Sequence, residues 1–151
     1  MDELLFRAWD KLTKKWIVKD FTILGEVTCF DIIGQYLYKY MGDRNGTLDR
    51  LNDVIINQFT GRFDKNNNKI YSGDIVKMTN LDCYIQKVEM IAVVRFNSFG
   101  GYVFEIKKIN KWEKYSKEAI QPTYLWFTLS NHVLEIIGNE MENPELLIKG
   151  E

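Results

Sequence analysis

Two runs of alternating residues around a glycine pair constrain this chain more than any other feature. In "VEMIAVVRF", Val88, Met90, Ala92, Val94 and Phe96 fall on one side. In "YVFEIKK", Tyr102, Phe104 and Ile106 share a side, opposite Glu105 and Lys107. A period of two is the signature of a half-buried strand. The link "NSFGG" carries two glycines, which take positive φ without steric cost. A β-hairpin over residues 88–109 follows. The pattern recurs on both sides of it. "VIINQFT", "KIYSGDIVKMT", "TYLWFTL" and "HVLEIIG" read as further strands, and "ELLFRAWD" with "KWIVKDFTI" reads as an N-terminal hairpin around the polar link "DKLTKK". In that hairpin Lys15, Ile17 and Lys19 are expected on one side, Trp16 and Val18 on the other. Short antiparallel strands at fairly even spacing favour a small closed or nearly closed barrel over a sandwich.

Two segments carry a different signal. Within residues 26–41, Phe30, Ile33, Leu37, Tyr40 and Met41 recur every three or four positions, which predicts a helix. Thr28 with Asp31 resembles a capping box there, although Gly34 lowers helix propensity. Residues 42–49, "GDRNGTLD", are expected to form a surface loop. Residues 110–119, "NKWEKYSKEA", read as a loop or frayed helix. Near the end, Asn143 is a good cap and Pro144 suits a first helical position. A short C-terminal helix is predicted, with Leu146 and Leu147 docking on the barrel.

The chain has 151 residues, a natural size for one domain. Aromatics make up 14% of it, which favours a core of large flat side chains over disorder. Twenty Lys and Arg against 21 Asp and Glu give a net charge of −1. That balance argues against tight, sequence-independent binding to a phosphate backbone and is compatible with self-association. The two cysteines, Cys29 and Cys83, form no C-x-x-C pair and have no basic neighbour to activate them. Free thiols in a cytosolic protein are expected. The N-terminus does not read as a signal peptide, and no apolar run approaches the ~20 residues that span a bilayer. A cytoplasmic protein with no membrane contact is expected.

Candidate sites are few. In "DKNNNK", Asp64, Asn66 and Asn68 occupy the first, third and fifth places of a calcium-loop pattern. The pattern then needs Gly and, at the twelfth place, a bidentate Glu; here Lys69 and Ile75 stand there. Asn and Asp tolerate left-handed backbone and bond to their own main chain, so a β-turn explains these residues better. Gly73 and Asp74 precede an apolar strand, and there a carboxylate commonly accepts backbone N–H bonds as the chain turns. His132 is the only histidine, so it builds no multi-His metal site; it reads as a half-exposed strand residue. Lys107, Lys108, Lys111 and Lys114 surround Trp112 and Tyr115, a composition that binds single-stranded nucleic acid. Glu113 and Glu118 interrupt that cluster, and a solvated loop explains it more simply. Of Trp9, Trp16, Trp112 and Trp126, at least one is expected at an interface, because a small barrel cannot bury all four.

Three stretches, "FRAWDKLTKKWI", "QFTGRFDKNNNKIYSGDIVK" and "LEIIGNEMENPELL", together resemble the YopX family of phage and prophage proteins and frame nearly the whole chain. Residues 26–41 and "PTYLWFTL" look less typical of it. The resemblance implies a mainly β domain with an SH3-like barrel, a phage or prophage origin, and assembly into homo-oligomers. It brings no catalytic residue and no cofactor with it. The family-signature turn comprises Gly61, Asp64, Asn66, Gly73 and Asp74, and its role is read as structural. The full expectation is a mainly β, SH3-like barrel with an N-terminal β-hairpin, one inserted helix and a short C-terminal helix. Such a protein would be a non-enzymatic accessory factor in the host cytoplasm, binding copies of itself or a phage or host protein. The alternative is a nucleic-acid-binding barrel that uses Lys107, Lys108, Lys111, Trp112 and Lys114.

Overall fold

The computed structural model describes residues 5–22, 30–33, 36–40, 48–80, 89–96, 101–110, 124–126 and 132–148. They are mainly β: twelve strands and one 3-10 turn. The chain forms two compact units, residues 1–59 and 60–151.

In the first unit, β1 (Leu5–Asp10) pairs antiparallel with β2 (Lys15–Thr22) and with the start of β6 (Val54–Phe63). The expected N-terminal hairpin is therefore present. Its turn is held by Asp10, whose Oδ1 accepts from the backbone N–H of Leu12 at 2.8 Å and whose Oδ2 accepts from Thr13 Oγ1 at 2.8 Å. Lys14 closes the turn with a left-handed φ of 53°. The simple alternation predicted along β2 fails. Ala8 faces Val18 while Trp9 faces Trp16, so Ile17 is an extra residue, a β-bulge. Ile17 and Val18 consequently both pack against the buried Ala8, with Phe6, Val54 and Ile56.

The helix predicted over residues 26–41 is not formed by the residues described there. Phe30–Ile33 is β3 and Tyr36–Tyr40 is β4, paired with Ile33 opposite Tyr36 and Phe30 opposite Lys39. Apolar residues three or four apart misled because Tyr36, Tyr38 and Tyr40 also alternate, and β-branched Ile32 and Ile33 favour strand. β5 (Leu48–Leu51) pairs with β4 and takes the last two residues of the predicted 42–49 loop.

The second unit is built on an antiparallel sheet in the order β11-β10-β9-β8-β12, curled around one core. Its strands are β8 (Asp74–Asn80), β9 (Glu89–Phe96), β10 (Tyr102–Asn110), β11 (Tyr124–Trp126) and β12 (His132–Asn139). The predicted central hairpin is β9 with β10, Phe96 opposite Tyr102. Met90, Ala92, Val94 and Phe104 point into the core with Ile70, Val76 and Met78, and Tyr102, Ile106, Leu134 and Ile136 pack at its margin. Val93, on the other face, is fully buried as well, as is its partner Ile75. Phe96 departs from the expected pattern: it is 59% exposed and meets the Tyr102 ring edge-on at 5.3 Å. Short β7 (Lys69–Tyr71) places Ile70 in this core.

In place of the predicted C-terminal helix stands a single 3-10 turn, Pro144–Leu147, with Leu146 and Leu147 only half-buried. Asn143 does not cap it with its side chain. Its Oδ1 instead accepts from the Asn139 N–H at 3.3 Å. Gly138 makes room for this, since a Cβ there would stand 2.6 Å from Asn143 Oδ1 and 3.0 Å from Asn143 Cβ. Gly138→Ala should therefore destabilise the protein by about 1–3 kcal/mol through overpacking. Urea denaturation checks this, and an unchanged midpoint would mean that Asn143 moves aside freely.

Candidate functional site

The stretch from Thr60 to Asp74 is held by closely spaced local hydrogen bonds. Thr60 Oγ1 donates to the Ile70 carbonyl at 2.8 Å and accepts from the Arg62 N–H at 3.2 Å. Gly61 sits between them at φ 78°, a region that side-chain-bearing residues rarely adopt. Asp64 then organises the connector. Its Oδ1 accepts from the N–H groups of Asn66 and Asn68, both at 2.8 Å. Its Oδ2 accepts from Asn68 Nδ2 at 3.3 Å and from the Ile136 N–H at 3.2 Å. Asn67 takes φ 64°, as expected for Asn in a turn.

The last of those bonds reaches β12. Lys65 N–H donates to the Leu134 carbonyl at 2.9 Å, and Lys65 Nζ lies 2.8 Å from Glu135 Oε2. The connector thus lies along the edge of β12 that β8 does not use. Burial pushes the Asp64 carboxyl up, but donation from Asn68, Ile136 and Asn66 outweighs it and holds the group below its ordinary value. A cation site presents oxygens to its ion; here N–H donors converge on both carboxylate oxygens. Among the described residues no group of three or more His, Cys, Asp or Glu is placed to hold a metal.

The second turn works in the same way. Asp74 is 2% exposed, and its Oδ2 accepts from the Tyr71 N–H at 2.8 Å. Gly73, at φ 81°, donates its N–H to the Val94 carbonyl at 2.8 Å and accepts from the Glu140 N–H at 3.0 Å. Just beyond, Asn139 Oδ1 accepts from the N–H groups of Met141 and Glu142. Two of the stretches singled out from the sequence, around residues 58–77 and 134–147, are thereby one bonded structure.

The sheet face beside them carries charge. Arg95 Nε lies 3.0 Å from Glu105 Oε2 and its terminal nitrogen 2.6 Å from Glu140 Oε1, while Lys107 Nζ lies 2.5 Å from Glu105 Oε1. Two cations and two anions balance. Burial lifts the Glu105 carboxyl, and Lys107 and Arg95 outweigh that and lower it. This network was not read from the sequence. The signal was available, because the β9–β10 register makes Arg95 and Glu105 diagonal neighbours.

Of the five residues proposed for nucleic acid, Lys107 and Lys108 are described, and Lys111, Trp112 and Lys114 lie outside the described residues. Lys107 is the bulged residue between Ile106 and Lys108, and its Nζ donates to Glu105 Oε1. His132 opens β12 as expected. Cys29 and Cys83 also lie outside the described residues. The indole of Trp9 is buried and stands edge-on to Trp16 at 5.1 Å.

A mainly β protein results, whose signature aspartates and glycines bend backbone and join strands. Comparison with protein families places it further: the YopX protein family matches residues 5–148, and the chain belongs to that family. A crystal structure of protein EF1440 from Enterococcus faecalis is similar to it, with a TM-score of 0.52 and 21% identity, over 96% of this chain and 98% of that one. At that identity the likeness concerns the fold. Comparison with curated proteins finds no match.

Proposed function

We propose that this chain is a non-enzymatic accessory protein of phage or prophage origin that acts by protein–protein contacts and assembles with copies of itself in the host cytoplasm. Its second unit would be an SH3-like barrel; the curled five-stranded antiparallel sheet and the connector bound along β12 support that reading. The observation that carries self-assembly is the β9–β10 ribbon. β11 pairs only with Val103–Glu105, so among the described residues the β10 edge from Ile106 to Asn110 has no strand beside it. Phe96 at 59% and Ile109 at 36% exposure stand at the two ends of that ribbon. A strand edge that carries an exposed apolar side chain is a template for another chain.

Sedimentation velocity across a concentration series tests the proposal. The sedimentation coefficient should rise with concentration. Ile109→Lys should shift the association midpoint upward roughly tenfold, because it places a charge at an edge that strand pairing must desolvate. A wild-type protein that stays monomeric at every concentration would remove the proposal.

A further inference from the structure

We infer that the N-terminal hairpin is a binding site for single-stranded nucleic acid, independent of self-assembly and separate from the 107–114 cluster. Along the hairpin, residues 5–22, stand Arg7, Lys11, Lys14, Lys15 and Lys19 with two acids, Asp10 and Asp20, in a chain whose net charge is −1. Positive charge is therefore concentrated on this hairpin. The fold leaves it outward: Lys11, Lys14, Lys15 and Lys19 are all exposed. Asp10 is engaged in the turn, accepting from Leu12, Thr13 N–H and Thr13 Oγ1. Asp53 approaches Lys11 only at 4.0 Å, with both side chains more than half exposed.

An aromatic ring lies beside two of these cations. Trp16 is half-buried, the Arg7 guanidinium carbon sits 4.5 Å from its ring centre, and Lys19 Nζ lies 6.0 Å from it. Cations at a tryptophan face interact with its quadrupole. Base-stacking aromatics beside phosphate-binding cations are the means by which proteins hold unpaired strands without reading sequence. An acidic protein segment would use the lysines but has no bases for Trp16. A duplex hides its base faces. Both are weaker fits than a single strand. The bulge at Ile17 contributes by setting Lys19 on the Trp16 side of β2.

The test is fluorescence anisotropy of a labelled oligothymidylate titrated with the full chain. Four lysine–phosphate contacts predict a slope of log affinity against log salt of about −3 for a single strand. The exposed triple variant Lys14→Asn, Lys15→Gln, Lys19→Gln should reduce the slope to about −1 and weaken low-salt binding at least roughly tenfold. Lys108→Gln should leave binding unchanged. Chemical-shift mapping on the unmodified chain gives a second readout, with shifts expected at the amides of residues 11–19 and at the Trp16 indole N–H. Absence of binding at low salt, an unaffected triple variant, shifts confined elsewhere, or equal displacement by polyglutamate would each overturn the inference.

Discussion

Replacing Asp64 with Ala is expected to cost about 3 kcal/mol of stability, because one carboxylate serves several donors whose loss is uncompensated. Those donors are the N–H groups of Asn66, Asn68 and Ile136 and the side-chain amide of Asn68. Asp64 is 7% exposed, so water replaces it poorly. For a chain of this length the loss corresponds to a fall in Tm of roughly 10 °C. Asp64→Asn keeps an acceptor for the turn but turns a second donor toward the others, and should fall between. The effect has a defined pH dependence. The folded carboxyl titrates below its ordinary value. Its contribution is therefore complete above the unfolded pKa, about 4, and is lost as pH falls through the lower folded value. Wild-type stability should decline across that acid range, and Asp64→Ala should decline less. Parallel acid limbs would contradict the assignment.

Ile70→Ala should be at least as damaging, at about 3–4 kcal/mol, through lost transfer energy and the cavity it leaves. Ile70 is fully buried and belongs to the same cluster as Val76, Met78 and Val94. Its strand has three residues, so little backbone pairing holds β7 in place once the side chain is shortened. Leu12→Ala offers the contrast: that side chain is 77% exposed, and the change should stay within about 0.5 kcal/mol. Chemical denaturation of both variants measures the difference. A loss below about 1 kcal/mol for Ile70→Ala would mean that the site collapses around the cavity.

The strands were legible where alternation ran long. Met90, Ala92 and Val94, with Tyr102, Phe104 and Ile106, declared both the hairpin and its inner face. Residues 30–40 misled because a short apolar run satisfies both periods. Bulges at Ile17 and Lys107 were invisible, since one inserted residue changes the facing of a strand without changing its composition. The role of Asp64 in bending its own loop was legible from the asparagines that follow it. Its bond to Ile136, 72 residues later, was not, because no local pattern encodes a long-range partner. The same blindness applied to Lys107, which a count of neighbouring lysines marks as basic surface and which Glu105 in fact holds.

Backbone hydrogen exchange of the wild type beside Asp64→Ala tests most directly whether the signature segment is a joint in the architecture. Slow exchange at Asn66, Asn68 and Ile136, lost together in the variant while the β1–β2 amides keep their protection, is the predicted result. Fast exchange at Ile136 in the wild type, or unchanged protection in the variant, would contradict it.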